Sequence, residues 1–207
     1  KKFEAELVKP VKLLHFGRAS IRLVLPESMR DLECPFCDET RKLLEEVAAL
    51  SDKVSLEIVD VRADEARAAA YGIDMIPATI VMDEEDRGIR IYGIPSGYEY
   101  VSLLGAVLDI SRGTTSLAPE TRAALRGVEK DVHIQVFVTP TCAFCSAAVR
   151  LAHQFALDLD CDSTRAARDF GYAPPVTDAP SERPYSATGS ISGSPPGPTV
   201  GQLVEGL

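Results

Sequence analysis

The stretch Cys34-Pro35-Phe36-Cys37 has the form C-x-F-C, and the same form recurs later in the chain as Cys142-Ala143-Phe144-Cys145. After each motif, apolar residues repeat at i, i+3 and i+4, which is the spacing of an amphipathic helix. The first apolar stripe contains Leu43, Leu44, Val47 and Leu50, and the second contains Val149, Ala152, Phe155 and Ala156. The same motif at the start of two helices predicts two copies of one structural unit.

Two cysteines separated by two residues at a helix start are suited to thiol–disulfide exchange. The free N–H groups and the positive dipole end of the helix stabilise a thiolate on the first cysteine of the pair. Cys34 is therefore predicted to attack a substrate disulfide, and Cys37 to resolve the mixed disulfide that results. Cys142 and Cys145 are predicted to have the same two roles.

Zinc ligation is an alternative use of four cysteines in two pairs. A zinc ribbon usually places its CxxC pairs roughly 15 to 20 residues apart, whereas these pairs lie in opposite halves of the chain. Dithiol exchange with no metal and no cofactor is therefore favoured over a zinc-binding or peptide-binding scaffold. A motif that packs as a helix start without any chemistry is a further alternative.

The segment after the first motif alternates strand and helix patterns. Apolar residues alternate over 54–58, an alanine-rich helix is predicted over 63–71, and strands are predicted at 76–81 and 89–92. A final helix carries Val101, Leu104, Val107 and Leu108, with Gly113 as its C-terminal cap. Together with a strand before the motif, the order β-α-β-α-β-β-α predicts a mixed sheet with helices on its faces.

The second copy is predicted to begin with an apolar-rich strand at 133–138. Residues 173–200, however, include seven prolines, three glycines and five serines, and almost no large aliphatic side chains. This composition is typical of disorder, so the second unit is predicted to be degraded or partly disordered. A compensated reading-frame disturbance or a deletion would explain the composition, and translation of the coding DNA in its other frames would test that hypothesis.

Ile76 and Pro77 precede the β-prone run Ala78-Thr79-Ile80-Val81. For these residues alone, an ordinary trans proline at a strand entry is the commoner arrangement, and a tight cis-prolyl turn is the alternative. A cis-prolyl loop beside the CxxC motif would leave a free backbone edge with which a substrate peptide can pair.

With these residues together, the chain resembles the protein disulfide oxidoreductases, which are glutaredoxin-like proteins made of two fused thioredoxin-fold units. The resemblance is closest between residues 47 and 157, in the segments Ala48-Ala49-Leu50-Ser51-Asp52-Lys53, Gly93-Ile94-Pro95-Ser96-Gly97-Tyr98-Glu99, Asp109-Ile110-Ser111-Arg112-Gly113 and Phe137-Val138-Thr139-Pro140-Thr141-Cys142. It implies an α/β fold of two tandem thioredoxin-like units, each a mixed sheet flanked by helices. It also implies two redox-active CxxC sites, a cis bond at Pro77, and reduction by a thioredoxin-reductase-type flavoprotein.

The resemblance leads to a division of the chain and to a set of site residues. Residues 1–113 are predicted to form a thioredoxin-like unit, 114–131 a connecting helix or linker, and 132–207 a second, eroded unit. The substrates are expected to be protein disulfides. Besides the four cysteines, the residues predicted to contact a substrate are Pro35, Phe36, Ile76, Pro77, Ala143 and Phe144.

The chain departs from the family pattern in three places. The family's first strand leads almost directly into CxxC, whereas Phe16 lies well before the first motif, so either 21–25 forms the strand or 17–30 is an inserted loop. Ala143 replaces the proline that is usual in the second motif. The prolines at 174–175, which should provide a second cis-proline, do not precede a β-rich run.

Composition limits the classes of partner. The 207 residues carry a formal net charge of −9 with no cluster of basic residues, so a nucleic-acid or anionic-membrane partner is not expected. No apolar run is long enough to span a bilayer and no signal-peptide pattern is present, which predicts a cytoplasmic protein. An electron-relay module for a peroxidase is a second enzyme interpretation that uses the same cysteines.

The other titratable side chains are given structural roles. Cys161 lies between two aspartates that disfavour its thiolate, so an inert thiol is expected. Glu57 and Asp60 are expected to be solvated strand carboxylates rather than a buried proton acceptor under Cys37. Roles in a sheet or on a helix surface are expected for His15, His133 and His153.

Overall fold

The computed structural model describes residues 2–18, 34–128, 132–139 and 141–159. In chain order, the elements are α1 (Lys2–Glu6), β1 (Val11–Gly17), α2 (Cys37–Ala48), β2 (Val54–Asp60), α3 (Glu65–Ala70), β3 (Ala78–Met82), β4 (Arg90–Tyr92), α4 (Tyr98–Arg112), α5 (Pro119–Arg126) and α6 (Cys145–Asp158). The first unit has the predicted β-α-β-α-β-β-α order, and the short helix α1 precedes it.

Four strands form one mixed sheet in the order β2-β1-β3-β4. β1 runs parallel to β2, with Val11 opposite Val54, and antiparallel to β3, with Phe16 opposite Ala78. β4 runs antiparallel to β3. Because β1 has a neighbour on each side and helices on both faces, all of its residues except the partly buried Lys12 are buried.

Helices cover both faces of the sheet. Successive side chains on a strand point to opposite faces, so Leu13 packs with Leu44 of α2 and Leu104 of α4, whereas Phe16 packs on the other face with Ala68 of α3. Burying each such leucine or phenylalanine contributes about 1.5 to 3 kcal/mol. This core fixes the ends of the strands, and therefore the loops that carry the candidate site.

The first strand ends at Gly17, so Phe16 belongs to it. This placement favours the second of the two predicted arrangements, in which a long connection joins the first strand to the motif. Residues 19–33 of that connection, including the alternative strand at 21–25, lie outside the described residues.

The strand predicted at 133–138 is wrong, because residues 132–139 form neither helix nor strand. Phe137 is 88% exposed, and Ile134 is exposed as well. A strand needs a neighbour for its backbone hydrogen bonds, and no strand in the described part of the chain lies beside this segment. The apolar pattern is present without the partner that would make it a strand.

The helix after the second motif, α6, packs against α4 of the first unit. The hydroxyl of Ser102 on α4 donates to the carbonyl of Ser146 at 3.2 Å, and the amide of Gln154 donates to the carboxylate of Asp109 on α4 at 3.4 Å. These contacts advance along both helices in the same direction, so α4 and α6 run parallel.

The helix predicted within the linker is confirmed, because α5 lies between residues 114 and 131.

The predictions for Cys161, for residues 173–200 and for the prolines at 174–175 concern residues outside the described ranges. Among the helices that the structure does describe, none is long and apolar enough to cross a membrane.

Candidate functional site

Cys34 and Cys37 form a disulfide at the start of α2, and their Cα atoms are 5.4 Å apart. The N–H of Cys37 donates to the carbonyl of Cys34 at 3.3 Å, and the N–H of Thr40 donates to the carbonyl of Phe36 at 2.9 Å. Phe36 is the N-cap residue of the helix. The tight turn therefore holds both sulfur atoms at the helix N-terminus, as the motif predicts.

The two cysteines of this pair differ in accessibility. Cys37 is 3% exposed, whereas Cys34 is partly exposed. The Sγ atom of Cys37 also accepts a hydrogen bond from the N–H of Arg18 at 3.3 Å. Because attack on an external disulfide needs an open path to the sulfur, Cys34 is the accessible member of the pair and Cys37 the enclosed one.

The peptide bond between Ile76 and Pro77 is cis, as the resemblance implies. Pro77 directly precedes β3, whose first residue, Ala78, lies opposite Phe16 of β1. The carbonyl of Pro77 accepts the N–H of Gly93 at 2.8 Å. The cis-prolyl loop is thus fixed at the end of the sheet where β1 finishes, which is also the end at which Cys37 lies.

Exposed apolar side chains border this end of the sheet. Phe36 is 50% exposed, Pro35 is exposed, and Met75 is exposed next to the partly exposed Ile76. Sequence reasoning identified all of these except Met75, although a methionine directly before an Ile-Pro pair was a usable signal. Exposed apolar groups beside a reactive disulfide are suited to contact apolar side chains of a partner.

Cys142 and Cys145 form a second disulfide at the start of α6, again with Cα atoms 5.4 Å apart. The N–H of Cys145 donates to the carbonyl of Cys142 at 3.3 Å, which repeats the first site. Both cysteines are partly exposed, unlike Cys37, and Ala143 and Phe144 are exposed. The second site has the same local geometry in a more open setting.

Glu57 is a solvated strand carboxylate, as predicted, whereas Asp60 is partly exposed and lies opposite Gly17 at the end of β2. Glu57 pairs with Arg67 at 2.6 Å and with Lys12 at 3.3 Å. The hydrogen bond from Arg67 holds the pKa of Glu57 below its usual value. Oδ1 of Asp60 accepts a hydrogen bond from the N–H of Arg62 at 2.9 Å.

His15 is buried in β1, which confirms its predicted place in the sheet. It lies on the same face as Leu13, two residues earlier, and therefore on the side covered by α2. Its Nδ1 atom is 3.1 Å from the hydroxyl of Thr79. Burial lowers the pKa of His15 to about 4, assisted by the charge of Arg41 and opposed by the carbonyl of Ala78, so the imidazole is neutral at pH 7.

His153 is buried, so the predicted helix-surface position is wrong. The difference arises because α6 docks on α4, a contact that the periodicity of α6 alone does not reveal. Burial, with the nearby charge of Arg150, lowers the pKa of His153 to about 4.

No family model matches the chain. It is 29% identical over 112 residues to the AhpF component of alkyl hydroperoxide reductase in Xanthomonas campestris pv. phaseoli, a match that covers 54% of this chain and 19% of that protein. It is 26% identical over 117 residues to an NADH dehydrogenase of Bacillus subtilis (strain 168), covering 55% of this chain and 21% of that protein. The matched region therefore spans about a fifth of each of these relatives.

Two solved structures share the fold. A protein disulfide oxidoreductase from Aeropyrum pernix K1 superposes with a TM-score of 0.65 at 26% identity, covering 76% of this chain and 64% of that one. The NTD_N/C domain of alkyl hydroperoxide reductase AhpF from Enterococcus faecalis (V583) superposes with a TM-score of 0.62 at 28% identity, covering 75% and 70%. The predicted fold class, a thioredoxin-like α/β fold with a mixed sheet flanked by helices, is confirmed.

Proposed function

We propose that this chain is a thiol–disulfide oxidoreductase that acts on protein disulfides by dithiol exchange. The observation that carries the proposal is the first disulfide, in which an accessible Cys34 is bonded to an enclosed Cys37 at a helix N-terminus. A disulfide with one accessible sulfur at a helix start can cycle between a reactive thiolate and an internal disulfide.

The reaction proceeds in two exchanges at the first site. In the reduced protein, the Cys34 thiolate attacks one sulfur of the substrate disulfide, and the other substrate sulfur leaves as a thiolate. Cys37 then loses its proton and attacks the sulfur of Cys34, which expels the second substrate thiolate and regenerates the Cys34–Cys37 disulfide. The substrate gains two electrons and the protein loses two.

The cis-prolyl loop is the proposed docking element for the substrate chain. Ile76 and Pro77 precede β3 and share an end of the sheet with the disulfide, so an extended substrate segment can pair with the backbone there. Pro35, Phe36 and Met75 supply the apolar contacts. At the second motif, Ala143 and Phe144 supply the apolar contacts. There Cys142 attacks the substrate disulfide and Cys145 resolves the mixed disulfide.

A flavoprotein of the thioredoxin-reductase type is the proposed electron donor, and a peroxide-reducing system is the second candidate setting. The AhpF relatives, which belong to alkyl hydroperoxide reductases, favour this second setting, in which the dithiols pass electrons between partner proteins. Both settings use the same cysteines and the same exchange chemistry. A cytoplasmic location stays a prediction.

Mass spectrometry after thiol alkylation, with and without reductant, tests the proposal when combined with a zinc assay. We expect Cys34, Cys37, Cys142 and Cys145 to become alkylated only after reduction, and the reduced protein to reduce insulin disulfides. Stoichiometric zinc with no reversible disulfide would overturn the proposal. Reduction of a peroxidase disulfide at least tenfold faster than that of insulin would identify the relay setting.

A further inference from the structure

His15 is a titratable side chain, 1% exposed, on the strand that ends next to the first disulfide. A buried imidazole is uncommon unless it has a hydrogen-bond partner. Thr79 supplies one partner, 3.1 Å from Nδ1. The second ring nitrogen, Nε2, is directed towards the end of the strand.

The position of Nε2 is defined by Gly17, two residues further along β1. A β-carbon placed on Gly17 would lie 3.0 Å from Nε2 of His15 and 3.3 Å from Sγ of Cys37. Nε2 of His15 and Sγ of Cys37 therefore both lie beside the position of that β-carbon. The distance between these two atoms is at most the sum of the two distances. This separation allows proton transfer directly or through one water molecule. Glycine at 17 leaves the space between them open.

We propose that His15 is the proton acceptor for Cys37 in the resolving step, an inference that rests on the proposed dithiol exchange. When Cys34 is bound to a substrate sulfur, Nε2 takes the proton of the Cys37 thiol. The Cys37 thiolate attacks Cys34, and the electron pair of the broken bond leaves with the substrate sulfur. The imidazolium then returns its proton to the leaving thiolate or to water, so His15 ends neutral.

The surroundings of His15 suit a base that is charged only briefly. With the disulfide closed, burial holds its pKa near 4, so no charge is trapped under the site at neutral pH. A Cys37 thiolate formed beside it would favour the imidazolium, because opposite charges attract strongly where water is excluded. The thiolate and the imidazolium therefore stabilise each other during the step.

Charged residues lie on three of the elements packed around His15, namely α2, α4 and β2, whose Asp60 lies opposite Gly17 in the sheet. Arg41 on α2 disfavours the imidazolium, while Asp38 and Glu39 lie in the first turn of the same helix. Glu99 lies in the first turn of α4, and burial raises its pKa. On the sheet side, β3 provides a hydroxyl and a carbonyl, both uncharged.

A rapid-quench experiment on the full chain separates attack from resolution. Cys142→Ser and Cys145→Ser are introduced together, so that only the first site reacts. The reduced protein is mixed with glutathione disulfide, quenched with acid and alkylated, and mass spectrometry measures the mixed disulfide and the internal disulfide over time. His15→Gln is compared with His153→Gln, which also removes a buried imidazole but lies on α6, the helix of the second motif.

We expect His15→Gln to form the mixed disulfide within twofold of the parent rate and to resolve it at least tenfold more slowly at pH 7. The difference should shrink at higher pH, where hydroxide can deprotonate the Cys37 thiol. His153→Gln should resolve at the parent rate. Resolution by His15→Gln within twofold of the parent at every pH, or equal slowing by His153→Gln, would overturn the assignment. A parent protein in which glutathione disulfide produces neither the mixed disulfide nor the internal Cys34–Cys37 disulfide would instead contradict the proposed function itself.

A measurement on the unaltered chain covers the case in which His15→Gln does not fold. Nuclear magnetic resonance titration of the imidazole protons in the oxidised and reduced states reports the pKa of each histidine. We expect the pKa of His15 to rise on reduction, while that of His153 stays the same. An unchanged pKa of His15 would overturn the assignment.

Discussion

Arg150 on α6 forms an ion pair with Asp109 on α4, with 2.8 Å between Nη1 and Oδ2. Nη1 of Arg150 makes no hydrogen bond within the described residues, so the contact is a charge pair rather than a directed bond. Asp109 is buried, whereas Arg150 retains some access to solvent. This pair ties the helix of the second CxxC site to the first unit.

Arg150→Gln should destabilise the protein by about 1 to 3 kcal/mol, because it leaves the carboxylate of Asp109 buried without a cation. The measurement is the free energy of unfolding in urea. Arg41→Gln is the matched control, since Arg41 pairs with Asp38 and Glu45 on the surface, and its loss should cost at most about 1 kcal/mol. Equal costs for the two variants would contradict the structural importance of the buried pair.

Gly105→Ala should weaken the same helix contact. A β-carbon on Gly105 would lie 2.5 Å from Cζ of Arg150, so the guanidinium would have to leave its position beside Asp109. Alanine is the better helix former by about 1 kcal/mol, and we expect this gain to be cancelled or reversed. The measurement is urea unfolding, with the substitution repeated in an Arg150→Ala background. In that background, Gly105→Ala should stabilise the protein. Destabilisation by Gly105→Ala in both backgrounds would contradict the close approach of Arg150 to Gly105.

Acid should destabilise the folded chain through its buried histidines. The pKa of His15 and of His153 falls from 6.5 to about 4 on folding, so between those pH values the unfolded chain binds more protons. Stability is therefore full above about pH 6.5 and declines as the pH falls towards 4, by at most about 3 kcal/mol for each histidine.

Urea unfolding at pH 7 and pH 5 measures this decline. His15→Gln and His153→Gln should each lower the difference in unfolding free energy between the two pH values, and the double variant should lower it most. A double variant with the same pH dependence as the parent would show that other groups control acid stability.

Local patterns were sufficient to predict most of the first unit. The apolar periodicity of α2 and α4 and the alternation in β2 depend on neighbours within a few residues, and those patterns gave the correct element order. The cis bond at Pro77 needed the family resemblance, because the residues alone favour the trans form.

Contacts between distant parts of the chain could not be predicted in the same way. Residues 133–138 have the composition of a strand, but strand formation depends on a pairing partner elsewhere. The proximity of His15 to Cys37 arises because β1 ends beneath the start of α2, although the two residues are well separated in sequence. The burial of His153 depends on the docking of α6.

The two disulfides should differ in reduction potential. Asp38 and Glu39 occupy the first turn of α2, whereas the first turn of α6 contains no acidic residue. Each exposed acid near a helix N-terminus disfavours a thiolate there by about 0.3 to 1 kcal/mol, and about 30 mV corresponds to 1.4 kcal/mol for this couple. The Cys142–Cys145 pair should therefore be the more oxidising by about ten to a few tens of millivolts.

Titration with glutathione of two variants, each keeping one CxxC pair, measures this order. Asp38→Asn combined with Glu39→Gln should make the Cys34–Cys37 pair more oxidising. An equal or higher potential for the unmodified Cys34–Cys37 pair would show that local charge does not set the difference.

The division of labour between Cys34 and Cys37 is tested most directly by trapping. In a Cys142→Ser, Cys145→Ser background, Cys37→Ser leaves the accessible attacking sulfur without its resolving partner, whereas Cys34→Ser leaves only the enclosed sulfur. Each protein is mixed with a disulfide-bonded protein such as insulin, alkylated, and analysed on non-reducing gels. We predict that Cys37→Ser accumulates a stable mixed disulfide that reductant releases, and that Cys34→Ser forms none. Trapping by Cys37→Ser no stronger than by the parent, or trapping by Cys34→Ser instead, would contradict the assigned roles.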